Sequence, residues 1–272
     1  MVYECLICDK SEDGTMVITL NRPHRLNAMS SKLLDEMGRV LDIVERNEDI
    51  RVVIITGAPR LDGRPCFCAG EDLFEISENP KDSKKEQLED MVNVWRGAFY
   101  GNKAADTARR IERMSTPSIA AIDGVCTAGG LELALACDIR LVSETVWITD
   151  VEIKNLGGVG AAGVTVRLSR LVGSAKAKEI IFTGDPLDGK QAVNIGLANA
   201  VHPPDRLLDE AKALAKKIGT RRPEALSIAK SIIDRAKDQP LDESLRAAYA
   251  AALPLVGREG PEAFIQKRSP NL

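Results

Sequence analysis

The chain has 272 residues, enough for one large domain or a main domain with a smaller appendage, and its 44% hydrophobic and 28% charged residues suit a globular protein with a substantial core. A net charge of −3 argues against nucleic acid or an anionic membrane surface as the main partner. No run approaches the roughly 18 apolar residues that span a bilayer, and Met1-Val-Tyr-Glu-Cys5 lacks the basic and apolar regions of a signal peptide, so a cytoplasmic location is expected. The six cysteines are then expected to be reduced thiols. Cys5-x-x-Cys8 has no second ligand pair to make it a metal site, because His24 and His202 are the only histidines and neither is suitably spaced.

In chain order, Tyr3–Asp9 and Met16–Leu20 alternate around the turn Glu12-Asp-Gly-Thr15 and predict a hairpin. Ser30 or Ser31 caps a predicted helix in which Leu33, Leu34, Met37, Val40, Leu41 and Val44 recur at helical spacing. Arg51–Thr56, Ser118–Ile122 and Ile139–Val142 are continuous apolar runs of the kind buried on both faces, and Leu131–Ala136 is helical between the last two. This alternation predicts an α/β body with right-handed crossovers. The stretch from Lys81 to Glu112 is polar and helical, its lysines interleaved with acids as on a solvated face, with Trp95, Phe99 and Tyr100 candidates to line a pocket. From Pro203 onward the chain reads as helices only, at Leu207–Ile218, Pro223–Lys237 and Asp242–Val256. The expected division is a core over 1–202 and a helical region over 203–272, which docks on the body or on a neighbouring subunit.

Gly158-Val-Gly-Ala-Ala-Gly163 matches the dinucleotide pattern G-x-G-x-x-G. The context is wrong, because the residues before it are half polar and the later acid Asp185 sits in Thr183-Gly-Asp-Pro186, which reads as a turn. It reads instead as a tight loop feeding a helix over Val164–Leu171.

Two other segments carry the chemistry. Cys66-Phe-Cys-Ala-Gly-Glu-Asp-Leu73 and Ile122-Asp-Gly-Val-Cys-Thr-Ala-Gly-Gly-Leu-Glu132 each place small residues where a strand ends and a helix begins. Such a junction points amide N–H groups outward and adds the positive end of a helix dipole. Two donors of this kind converging on one point make an oxyanion hole.

Together the segments resemble the crotonase (enoyl-CoA hydratase/isomerase) superfamily, and the resemblance runs nearly end to end. It includes Ile18-Thr-Leu-Asn-Arg-Pro23 with Leu26-Asn-Ala28, Arg170-Leu-Val-Gly173, Phe182-Thr-Gly184 and Glu259-Gly-Pro-Glu-Ala-Phe264. The resemblance implies a spiral of ββα units with a C-terminal helical region that builds trimers or dimers of trimers. It implies an oxyanion hole from the N–H groups of Glu71 and Gly129, with the Glu71 carboxylate turned away. It implies two catalytic carboxylates, Glu132 and, twenty residues later, Glu152. Coenzyme A would enter as part of an acyl-CoA substrate, held by Arg25, by the backbone of Asn27, Ala28, Cys68 and Ala69, and by Phe264 and Lys267. No permanently bound cofactor or metal is implied.

Three departures from the family pattern stand out. Val151 replaces the usual proline before the second glutamate, the Ile153–Gly163 loop is one residue longer, and Arg60–Pro65 lengthens the approach to the first motif. If Thr149–Glu152 is extended, Asp150 faces the same side as Glu152 and adds a third carboxylate. The leading expectation is a 2-enoyl-CoA hydratase. A double-bond isomerase and a hydrolase opening the β-keto ring of a cyclic acyl-CoA are the alternatives, and a non-catalytic thioester binder stands last.

Overall fold

Alternation at the start of the chain becomes a hairpin. The computed structural model, which describes residues 3–78, 102–255, 257 and 265–266, pairs β1 (Leu6–Lys10) antiparallel with β2 (Thr15–Leu20), Lys10 opposite Met16. Ser30 caps α1 (Ser31–Arg46), its side chain accepting the Leu33 N–H at 3.2 Å. The apolar stripe of α1, from Leu33 to Val44, is buried.

Beyond α1, a strand pair and a helix recur three times. β3 (Val52–Gly57) leads to β4 (Cys66–Cys68) and α2 (Leu73–Glu78). After α3 (Lys103–Arg113), β5 (Ser118–Ile122) leads to β6 (Val125–Thr127) and α4 (Gly129–Ala136). β7 (Ile139–Ser143) leads to β8 (Trp147–Thr149), a single π-helical turn over Glu152–Leu156, and α5 (Val164–Val172). The first strand of each pair joins one sheet, in the order β1-β2-β3-β5-β7-β9, where β9 is Ala200–His202. The second strand of each pair joins another, in the order β4-β6-β8. Apart from the hairpin, every pairing between these strands is parallel. The expected spiral of ββα units is this zigzag between two sheets.

The central strands of the large sheet are buried on both sides, as their largely apolar runs required. Val53, Ile55, Ala120, Ile122 and Val142 face the main core with α1, α3 and α4. Val52, Ile54, Ile119, Ala121 and Leu141 face the other way, where α8 (Leu207–Gly219) covers them with Leu207, Ala211 and Ala215. Before it run α6 (Ser174–Thr183) and α7 (Gly189–Asn194), and after it α9 (Pro223–Ala236) and α10 (Leu241–Ala252). Lys230 ties α9 to the body through a 2.9 Å ion pair with Asp138. α9 and α10 otherwise present apolar side chains outward, among them Ile233, Leu241, Leu245 and Tyr249. Among the described residues no helix is long and apolar enough to cross a membrane.

Candidate active site

The three strands of the small sheet end side by side, and each runs straight into a segment carrying candidate chemistry. Ala69-Gly70-Glu71 comes after β4, Ala128-Gly129 after β6, and Asp150-Val151-Glu152 after β8. The carboxyl edge of a parallel sheet is where α/β proteins gather functional groups. All five expected catalytic positions, Glu71, Gly129, Glu132, Asp150 and Glu152, lie on this edge or on the first turn beyond it.

The first two segments meet through their glycines. A Cβ on Gly130 would lie 2.1 Å from the Cys68 carbonyl oxygen, so only glycine lets α4 dock this close to β4. That docking brings the backbones at 70–71 and 129 together. A Cβ on Gly129 would lie 3.3 Å from the Glu71 nitrogen, and one on Gly70 would lie 3.1 Å from the Gly129 nitrogen. Gly129 is the first residue of α4, so its N–H has no intrahelical acceptor. Glu71 forms a parallel bridge with Met29, in which Met29 donates to the Gly70 carbonyl and Asp72 donates to Met29. Backbone groups alternate in direction along such a bridge, so the Glu71 N–H faces the opposite side. Ala128 holds the junction with φ 49 and ψ −127, a conformation that favours glycine.

Around this pair stand the carboxylates. Glu132, on the first turn of α4, is 2% exposed, and its Oε1 accepts the Val164 N–H at 3.0 Å. Glu152 opens the π-helical turn, and its buried Oε2 has no hydrogen-bond partner among the described residues. The two converge on Gly160, where a Cβ would lie 2.6 Å from Glu152 Oε2 and 2.7 Å from Glu132 Oε1. The oxygens are therefore no farther apart than two hydrogen bonds end to end, close enough for one water to bridge. Burial pushes the Glu152 carboxyl up to about 7, with Glu132, Asp150 and Glu71 adding like charge. Burial also raises Glu132, against the Val164 N–H, which favours its ionised form.

Glu71 adds like charge to both Glu132 and Glu152. One expectation is corrected here: Thr149–Glu152 is not extended. The strand stops at Thr149, Val151 has φ −108 and ψ 6, and Asp150 Oδ1 accepts the Glu152 N–H at 3.0 Å. Asp150 is thus a buried turn-former beneath Glu152 rather than its neighbour on one strand face.

Of the candidate nucleotide contacts, Arg25, Asn27, Ala28, Cys68 and Ala69 lie together beside the first segment. Arg25 is exposed, with its guanidinium 4.1 Å from the Phe74 ring centre. The Asn27 side chain is used internally, donating to the Ala58 and Cys66 carbonyls and accepting the Arg22 N–H. Ala28 and Cys68 are buried and Ala69 is half-buried. Phe264 and Lys267 lie outside the described residues, as do Trp95, Phe99 and Tyr100.

A family model described as Enoyl-CoA hydratase/isomerase matches residues 10–272. The chain belongs to the enoyl-CoA hydratase/isomerase family. It is 35% identical to the short-chain-enoyl-CoA hydratase of Clostridium acetobutylicum, over 95% of this chain and 94% of that one. It is 34% identical to an enoyl-CoA isomerase/hydratase of Mycosarcoma maydis, over 94% of this chain and 92% of that one. The solved enoyl-CoA hydratase of Bacillus anthracis superposes with a TM-score of 0.84 at 33% identity, covering 98% of each chain.

Within this crotonase fold, sequence reasoning passed over Gly160, read only as loop, and Val164, whose N–H holds Glu132. No spacing rule joins Gly160 to a glutamate 28 positions before it. Arg22 and Asp72 were also missed. They form a 2.8 Å ion pair with both side chains largely buried, and Asp72 in turn accepts the Phe74 N–H at the start of α2. The pair braces the loop before Asn27 against the segment that carries Glu71.

Proposed function

We propose that the chain is a 2-enoyl-CoA hydratase whose oxyanion hole is the Glu71 and Gly129 N–H pair and whose proton-transfer groups are Glu132 and Glu152. The observation that carries this reading is the convergence of Glu132 Oε1 and Glu152 Oε2 on the one point beside Gly160. Two carboxylates at that separation hold a single water, and hydration needs both. Polarised by the hole, the thioester carbonyl draws electron density from the double bond. The water oxygen bonds to the β-carbon as Glu132 takes its proton, and the enolate collapses by taking a proton at the α-carbon from Glu152. Glu152 suits the donor role because burial keeps it partly protonated near neutrality. Passage of a proton from Glu132 to Glu152 restores the starting state. In other enzymes one hole donor is worth about 3–4 kcal/mol, so two supply a large share of what the enolate requires.

Coenzyme A is placed at Arg25 and the backbone of Asn27, Ala28, Cys68 and Ala69, with Phe264 and Lys267 contributing from the C-terminal region. The division into a 1–202 core and a 203–272 helical region stands as a proposal, and so does assembly as a trimer or dimer of trimers. Both are supported by the outward apolar side chains of α9 and α10. A cytoplasmic location is supported by six free cysteines.

The test is product analysis in weakly buffered solution. A hydratase converts a 2-enoyl-CoA to a β-hydroxyacyl-CoA with no net proton release and no free thiol. Turnover only of a 3-enoyl-CoA to its 2-enoyl isomer, with no water added, would replace this reading with the isomerase. Acidification on a 2-ketocycloalkyl-CoA alone would replace it with the ring hydrolase. Failure to turn over any of these would leave a thioester binder.

A further inference from the structure

The proposed reaction calls for two glutamates, yet this chain carries a third buried carboxylate beside one of them. Asp150 is 1% exposed, and its Oδ1 accepts the backbone N–H of Glu152 at 3.0 Å. That hydrogen bond closes the chain reversal between β8 and the π-helical turn, and Glu152 is the first residue of that turn. The direction in which the Glu152 side chain leaves the backbone therefore depends on the Asp150 carboxylate. A buried carboxylate is an expensive way to satisfy one N–H, because an uncharged asparagine or serine serves as well at a cap. Burial raises the Asp150 carboxyl while the Glu152 N–H favours its ionised form, and what a carboxylate adds over those uncharged groups is its charge. We propose that Asp150 is a positioning residue that acts through Glu152: its carboxylate fixes the turn that aims Glu152 into the site and holds a like charge two residues from it. The inference rests on the reading of Glu152 as a proton donor.

The surroundings support a direct electrostatic effect. Glu132 from α4 and Glu71 from the segment after β4 face Glu152 with the same sign, and both raise it along with Asp150. Lys154 on the same turn is the nearest cation in sequence, and its amine leans toward Asp185 at 3.9 Å, with both side chains more than half exposed. Helix α6, packed beside the turn, carries Lys176, Lys178 and Glu179, with Lys176 tied to Glu179 at 2.6 Å. Arg167 on α5 is occupied by Glu112 at 2.9 Å and by the Ala162 carbonyl. A proton on Glu152 is thus favoured by burial and by three like charges, and Asp150 is also bonded to its backbone.

Two substitutions separate the roles. Asp150→Asn keeps the acceptor and the volume but removes the charge, and Asp150→Ala removes both. The titration of Glu152 is tracked by carbon NMR of the glutamate-labelled full-length protein, assigned by the signal lost in Glu152→Gln. This readout requires no turnover, so it stands apart from the assignment of the reaction. In Asp150→Asn the Glu152 midpoint is expected to fall by about one pH unit, the scale of a close like charge. The acidic-to-neutral dependence of kcat should shift with it. In Asp150→Ala the midpoint should fall likewise, and kcat should drop a further tenfold or more at every pH with little change in KM. Thermal melts verify folding of each variant. An unmoved Glu152 midpoint in Asp150→Asn would overturn the charge role. Equal kcat in Asp150→Ala and Asp150→Asn would overturn the positioning role. Should the wild type turn over no enoyl-CoA while its Glu152 midpoint still shifts in Asp150→Asn, the proposed reaction fails and the link between the two residues survives.

Discussion

Gly160→Ala tests the convergence of the two glutamates without touching either one. The added methyl would stand 2.6 Å from Glu152 Oε2, 2.7 Å from Glu132 Oε1 and 2.6 Å from Val164 Cγ1. Carbon–oxygen contacts relax to about 3.3 Å, so each carboxylate is pushed roughly 0.7 Å from its place. Val164 is fully buried and β-branched and cannot swing aside. Strain passed to its backbone also disturbs the N–H that holds Glu132. A misplacement of about 1 Å at reacting groups costs on the order of 100-fold, so kcat should fall by about that factor. The stability cost is that of mild overpacking, about 1–2 kcal/mol. Loss of the enoyl absorbance of a 2-enoyl-CoA reports the rate, and calorimetric titration with coenzyme A reports binding, which should not change. Gly158→Ala is the control, since nothing lies within 4 Å of its added methyl. Wild-type turnover in Gly160→Ala would mean that the 157–160 loop simply moves outward and that the carboxylates do not depend on it.

Three further outcomes rest on the same geometry. The folded state holds the Glu152 proton up to about pH 7, whereas an ordinary glutamate releases it near 4.5. Wild-type stability from this group therefore falls as pH rises through that window, and the whole cost is present above it. Relative to wild type, Glu152→Gln should gain stability between pH 5 and pH 8 in denaturant titrations while losing about 100-fold or more in turnover; a stability difference independent of pH would contradict the burial argument. Glu71→Ala keeps its backbone donor and should retain most activity, with the acid limb of the rate profile moved to lower pH; a severe loss in the folded variant would give the side chain a direct role. Ala128→Gly relieves the φ of 49 and should stabilise the chain by about 1 kcal/mol, read as a melting temperature a few degrees higher, with activity preserved; destabilisation would show that the Ala128 conformation is unstrained.

Much of the body was legible because its signals are long. The runs at Arg51–Thr56, Ser118–Ile122 and Ile139–Val142 are largely apolar because α8 covers one face and the main core the other. The stripe of α1 and its Ser30 cap needed only helical spacing and a hydroxyl. The small sheet left no such trace. β4, β6 and β8 have three residues each, too few for any period to register, and the second motif read as one strand passing into a helix although β6 intervenes.

The residue types of the site were therefore determined locally, and their meeting was not. Small residues with an acid after them mark Gly70–Glu71 and Gly129–Glu132 as strand-to-helix junctions, since the need to bring backbones close is a short-range demand. Which junctions face one another was decided by pairing of β4, β6 and β8 in a single parallel sheet, which aligns their carboxyl ends across more than 80 positions of chain. The same tertiary contact made Gly160 obligatory, because its missing Cβ leaves room for two carboxylates from distant segments. The Asp150 bond to the Glu152 N–H, by contrast, is a local turn two residues long that strand alternation did not signal. Local sequence sets what a segment is able to do with its own backbone. Only the packing of separate segments sets how close two like charges are held, and that distance governs where their protons reside.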